Sequence, residues 1–252
     1  MGDLRLIISD ADGTLLSRGK LIYPNDFDLM MTDCAAMSIP FVVASGRTLS
    51  QLMEIFARHA DRLIFFSLDG AYISAGKKCL AAFPIDAGII KAVKKRLSDD
   101  IIGIEFCAAE RSYLLTDKKP LRESEAQRLG GEYSDADSDE PVYKLIIFTK
   151  PGADIEIPGL HAVYYGDKVK EFVREGIDKA FAASLLCGEL GIDRADVMAF
   201  GDSGNDRTLL EFAGQPVTIY GSKHDIFALS DKHTKNVADY VRYKLKKETS
   251  NG

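Results

Sequence analysis

Short apolar runs punctuate both ends of the chain. They fall at residues 4–8, 41–44, 63–66, 197–200 and 217–220, and only Arg5 interrupts the first. Continuous runs of this length suit strands buried on both faces, as in a parallel sheet. Between them, apolar residues recur at helical spacing. Residues 26–38 follow Pro24-Asn25, a helix start, and 49–60 set Leu49, Leu52, Met53 and Phe56 on one stripe. Residues 178–190 and 206–213 are two further helices. Strand and helix in alternation predict a doubly wound α/β fold.

The middle of the chain has a different rhythm. Residues 85–97 read as a helix with Ile89, Ile90, Val93 and Leu97 on one stripe. Strands are expected at 101–108 and 111–116, with Ala109-Glu110 between them as a hairpin turn. Pro120 opens a helix over 120–129, a polar acidic loop covers 130–140, and strands follow at 142–149 and 161–165. Local hairpins predict an α+β module. The expected organisation is a core of residues 1–83 and 175–252 with a smaller domain, 84–174, inserted into it. Pro84 and Gly176 are the hinge candidates. The lysine-rich stretch after Tyr243 reads as a solvated helix end.

Composition narrows the function classes. Of 252 residues, 38 are acidic and 32 are Lys or Arg, a net charge of -6. That argues against nucleic acid as partner, because phosphate neutralisation needs a basic face. A small anion needs only a local cation or a metal. No apolar run nears the ~20 residues that span a bilayer, and acids follow the first apolar run where a secretory signal would continue. Cys34, Cys79, Cys107 and Cys187 are far apart and form no C-x-x-C, so they read as small core hydrophobes. The four histidines show no metal spacing. No membrane partner and a cytoplasmic location are expected.

Four segments carry chemistry. Asp10-Ala11-Asp12-Gly13-Thr14 closes the first strand, and two acids at the end of a buried strand are costly unless a cation or protons neutralise them. Ala44-Ser45-Gly46-Arg47 closes the second strand, where a hydroxyl and backbone N–H groups could cradle an anion, although Ser-Gly is also a common turn. Lys179 opens a helix, by default as a solvated charge. Gly201-Asp202-Ser203-Gly204-Asn205-Asp206 follows the strand at 197–200, and its two acids four apart suit a metal site or a helix start. Three of the four lie at the C-terminal ends of parallel strands, the ligand-binding edge of such sheets.

In this order the four segments resemble the haloacid dehalogenase superfamily of phosphatases. D-x-D-G-T and G-D-x-x-N-D match completely. Between Asp12 and Ser45 there are 32 residues, too few for a further domain, while the 133 between Ser45 and Lys179 accommodate the 84–174 insertion. That arrangement is similar to the Cof-type, class IIB branch. The chain departs from it at Ala180, where many relatives have glycine, and at Asp69, where relatives often have asparagine.

The resemblance implies roles. Asp10 would attack phosphorus and form an aspartyl-phosphate. Asp12, protonated at the start, would protonate the leaving oxygen and then activate water. Ser45, with backbone N–H groups near Gly46, would bind the phosphoryl oxygens, and Lys179 would offset charge on nucleophile and phosphate. Mg2+ would take oxygen ligands from Asp10, the Asp12 main chain and Asp202, with Asp206 and Asn205 orienting that shell or the phosphate. Arg47 would reach the substrate. The implied activity is magnesium-dependent hydrolysis of small phosphorylated metabolites, sugar phosphates foremost, with the 84–174 insertion as a cap over the site. The same residues would serve a phosphotransferase or mutase, and a non-catalytic binder of phosphometabolites is the alternative outside enzymes. Gly201-Asp202-Ser203-Gly204 also echoes a serine-protease motif, but Asn205 and the lack of a matching histidine speak against it.

Overall fold

The computed structural model describes residues 4–16, 26–119, 121 and 140–250, with side chains to residue 247. Its main sheet has eight strands. In chain order they are β1 Leu6–Asp10, β2 Phe41–Ala44, β3 Ile64–Ser67, β4 Tyr72–Ala75, β5 Lys78–Ala82, β11 Val197–Gly201, β12 Gln215–Ile219 and β13 His233–Thr234. The spatial order is β13-β12-β11-β1-β2-β3-β4-β5. From β13 to β3 every neighbouring pair is parallel, with β1 at the centre between β11 and β2. The hairpin β4–β5 then extends the sheet antiparallel to β3.

Both faces are covered, as the continuous apolar strands require. On one face Ile7, Phe41, Val43, Phe65, Met198 and Phe200 pack with α1 (Phe27–Ala36), α2 (Leu49–Ile55) and α7 (Val237–Ser250). On the other, Leu6, Ile8, Val42, Ala44, Val197 and Ala199 pack with α4 (Lys179–Leu190) and α5 (Arg207–Phe212). A short α6 (His224–Phe227) precedes β13. Pro216 is tolerated in β12 because β13 pairs only with Thr218 and Ile219, so the proline has a neighbour on one side alone.

The second sheet has five antiparallel strands, ordered β7-β6-β8-β10-β9. They are β6 Ile101–Cys107, β7 Ser112–Leu115, β8 Lys144–Thr149, β9 Leu160–Tyr165 and β10 Val169–Arg174. Helix α3 (Ala87–Val93) packs on one face, where Ile104, Phe106, Leu145, Ile147 and Phe172 form a separate core. The chain passes between sheets at Pro84: the Phe83 N–H donates to Ala71 O and the Ile85 N–H to Val142 O. On the return, Gly176 adopts a φ of 80°, which favours glycine.

Several boundaries differ from expectation. β1 runs to Asp10, because Ser9 and Asp10 are buried despite being polar. α2 stops at Ile55 and α3 at Val93, each shorter than its apolar stripe. Past Ile55 the stripe leaves helical geometry at Phe56, whose buried ring still joins the core. β4, β5 and β10 were not foreseen. The helix at 120–129 and the loop at 130–140 fall almost wholly outside the described residues.

Candidate active site

Asp10 ends β1, Ser45 follows β2, and Asp202 follows β11, so three adjacent parallel strands deliver them to one edge. Lys179 arrives from the first turn of α4, whose start is fixed by Asp178 accepting the Phe181 N–H at 2.7 Å. The Lys179 ammonium, fully buried, donates to Asp10 Oδ1 and to Asp206 Oδ1, both at 2.6 Å. Burial alone would push this lysine's pKa down. Asp10, Asp206 and Asp69 together outweigh burial and hold it above the usual lysine range.

Asp10 is driven the opposite way. Burial first, then repulsion from Asp206, raise its pKa well above the usual carboxylate range despite Lys179. Its second oxygen, Oδ2, is buried and receives no hydrogen bond. Carboxylate oxygens of Asp10, Asp202 and Asp206 lie within 4.8 Å of one another. A buried oxygen without a donor, in a cluster of three carboxylates, fits an oxygen-seeking divalent cation.

Glycine is required twice around this cluster. Gly13 has a φ of 93°, and a Cβ there would sit 2.6 Å from Asp202 Oδ2. Thr14 Oγ1, one residue on, donates to Asp202 Oδ1 at 3.1 Å. The loop after β1 therefore positions the carboxylate that follows β11. At Gly201 a Cβ would lie 2.5 Å from the Asp206 Cβ, so glycine lets Asp206 fold back beneath the loop. There Asp206 Oδ2 accepts the N–H groups of Asp202 and Ser203, both at 3.1 Å, and the Ser203 hydroxyl at 3.2 Å. Both Asp206 oxygens are thus engaged by the protein.

The remaining predicted residues meet Asp10 around a cavity of about 390 Å³. Asp12, Ser45, Gly46, Arg47 and Asn205 all line it. Asp12 is half-exposed, and its two oxygens accept Arg47 Nε and Nη2, each at 2.8 Å. A proton on Asp12 would have to displace one of these bonds. Ser45 Oγ accepts the Arg47 N–H at 3.3 Å. A larger groove, about 890 Å³, runs along α3, and none of these residues lines it.

The second sheet closes the cavity from above and supplies residues that the motifs do not contain. Lys144, buried on β8, donates to Asp69 Oδ2 at 2.6 Å and to Gly46 O at 3.3 Å, and pairs with Glu171 Oε2 at 2.5 Å. Gly46 leaves room for this approach, since a Cβ would lie 2.7 Å from Lys144 Nζ. Asp69 sits in a left-handed conformation, φ 56°, and its other oxygen accepts Asn205 Nδ2 at 3.0 Å. Burial would raise the Asp69 pKa, but Lys144 and then Lys179 outweigh it and hold it below the usual range. The acid that stands where relatives often have asparagine therefore has its own buried cation.

A family model described as haloacid dehalogenase-like hydrolase matches residues 7–240. The chain belongs to this family. Among its relatives, the 5-amino-6-(5-phospho-D-ribitylamino)uracil phosphatase YbjI of Escherichia coli K12 is 27% identical over 227 residues, covering 84% of this chain and 83% of that protein. A longer protein of Streptococcus pyogenes is 25% identical over 256 residues, and this chain spans only 52% of its length. The fold is shared with a HAD subclass IIB sugar phosphatase, BT4131, at a TM-score of 0.79 and 18% identity, covering 95% of this chain and 98% of that one.

Proposed function

We propose that the chain is a magnesium-dependent phosphomonoesterase of small phosphorylated metabolites, sugar phosphates foremost, acting through an aspartyl-phosphate. The observation that carries this reading is Asp10 Oδ2: a buried carboxylate oxygen without a donor, on an edge it shares with Lys179, Asp202 and Ser45. Asp10 and Asp202, with the Asp12 main-chain carbonyl, would hold the magnesium. When bound, it would screen the repulsion between carboxylates and phosphate. Asp206 would act behind it, fixing Lys179 and the 202–203 backbone, because its oxygens are already taken.

Asp10 attacks phosphorus, forming an O–P bond as the bond to the leaving oxygen breaks. Asp12 gives its proton to that oxygen, which requires the Arg47 pair to open, freeing Arg47 to meet the phosphoryl group. Asp12, now a carboxylate, takes a proton from the water that attacks the aspartyl-phosphate. Phosphate leaves and both acids return to their starting states. Ser45 and backbone N–H groups near Gly46 orient the phosphoryl oxygens throughout.

Residues 84–174 act as a cap over the core formed by 1–83 and 175–252, with Pro84 and Gly176 at the crossings. A lid excludes water and selects substrates by the part that is not phosphate. The site of action is the cytoplasm. Four free cysteines, three of them buried, suit a reducing compartment, and among the described residues no helix is long and apolar enough to cross a membrane. The test is phosphate release from a panel of phosphomonoesters by protein stripped with EDTA and then given magnesium. Release that requires both magnesium and Asp10 is expected. No release from any ester would overturn the proposal.

A further inference from the structure

Asp69 lies where the segments of the site meet, and it is not among the residues that line the cavity. It follows β3 in the left-handed conformation, which short polar side chains tolerate. Backbone bonds stitch this turn to the loop after β2: the Asp69 N–H donates to Ser45 O and the Leu68 N–H to Arg47 O, both at 2.9 Å. Gly70, at a φ of 93°, packs so closely on the start of α4 that a Cβ would meet Asp178 O at 2.5 Å. The Asp69 side chain makes two further connections. Oδ1 accepts Asn205 Nδ2 at 3.0 Å, and Oδ2 accepts Lys144 Nζ at 2.6 Å from the second sheet.

An ionised carboxylate only accepts hydrogen bonds, and this sets the direction of the bonds beyond it. With its NH2 group turned to Asp69, Asn205 presents Oδ1 to the Ser203 hydroxyl at 2.6 Å. The Asp202 and Ser203 N–H groups donate to Asp206 Oδ2, and Asp206 Oδ1 accepts Lys179. A continuous run of hydrogen bonds therefore joins Lys144 to the loop that carries Asp202. Asp69 and Lys144 are both buried, so water competes little for their pair.

We propose that Asp69 is a positioning residue: it holds the 201–206 loop in place for the metal, and Lys144 of the second sheet holds Asp69. For its metal the inference rests on the phosphatase reading above. Lys144 bonds to Asp69, Glu171 and Gly46, so it reaches the loop through Asp69 and Asn205. Coulomb attraction alone makes the opposite forecast for Lys144→Met, since deleting a buried cation favours a second cation nearby.

The test measures amide hydrogen exchange of the full chain, without metal or ester, and magnesium binding by titration calorimetry. In Lys144→Met the Asp202 and Ser203 amides should exchange about tenfold faster, with β12 amides unchanged. Magnesium should bind about tenfold more weakly. In an Asn205→Ala background Lys144→Met should add nothing to either effect, because the route is already cut. Asp69→Asn is the second variant, for the case that Lys144→Met does not fold. It suits the left-handed backbone but offers one acceptor oxygen to two donors, so loop exchange should again rise. Unchanged loop exchange in the folded variants, tighter magnesium binding in Lys144→Met, or effects that multiply in the Asn205→Ala background would each overturn the inference. No turnover of any ester by the parent with magnesium would overturn the phosphatase reading, while the exchange comparison still decides whether Asp69 holds the loop.

Discussion

Lys179→Met tests the electrostatics of the centre most sharply. Methionine keeps most of the apolar stem of lysine and removes the terminal ammonium with its charge and donors. Two buried carboxylates lose their shared partner. Asp206 retains hydrogen bonds from the Asp202 N–H, the Ser203 N–H and the Ser203 hydroxyl, so most of its stabilisation survives. Asp10 does not: Oδ1 loses its 2.6 Å bond to Lys179, and Oδ2 had none. Removing one partner of a buried pair costs about 3–5 kcal/mol. The surviving bonds of Asp206 place the expected loss near the lower end, about 3 kcal/mol at neutral pH without metal. It should shrink on acidification, because a protonated Asp10 no longer needs the ammonium. Urea unfolding followed by far-UV circular dichroism reads this directly, since the chain has no tryptophan to report. A loss below about 1 kcal/mol, the range of exposed pairs, would refute the claim that Lys179 neutralises buried charge.

Other outcomes follow from the same geometry. In metal-free protein the folded state holds a proton on Asp10 above its ordinary value of 3.8. The folded state then binds more protons than the unfolded chain as pH rises past that value, so stability should fall through this window, as urea midpoints across pH would show. Added magnesium should flatten or reverse that slope. Gly13→Ala forces a Cβ to 2.6 Å from Asp202 Oδ2 at a φ of 93°, so it should cost about 1–3 kcal/mol and raise the magnesium concentration needed for half-maximal rate. Asp12→Asn should impair glucose 6-phosphate far more than p-nitrophenyl phosphate, whose leaving group needs little protonation. Equal losses on the two esters in steady-state assays would count against the acid role.

The site was legible where its chemistry is local in sequence. Asp10, Asp12, Ser45, Asp202 and Asp206 stand beside apolar runs whose lengths mark strand ends, and parallel pairing brings such ends together. Lys179 was legible only through its order among the motifs, since a lysine at a helix start is ordinarily exposed. Lys144, Glu105 and Glu171 were not legible. Each sits in a strand where a charged residue reads as the solvent side, and only the cross-strand register and the crossing at Pro84 turn that side onto the cavity. Asp69 was visible as a departure, but its partner is 75 residues away on another sheet. The β4–β5 hairpin had a local signal, Gly76-Lys77 between short strand-forming runs, with Gly76 at a φ of 53°. β10 was hidden by Lys170 and Glu171, both of which have buried or partly buried roles.

The central claim is that Asp10 becomes covalently phosphorylated. The direct measurement is acid-quenched mass spectrometry of the protein during turnover of p-nitrophenyl phosphate, with the phosphorylated residue located by peptide fragmentation. One phosphoryl group on Asp10 is predicted, more abundant in Asp12→Asn, where water activation fails, and absent in Asp10→Asn. Steady turnover with no phosphorylated protein in either the parent or Asp12→Asn, or with the phosphoryl group on Ser45, would contradict the account.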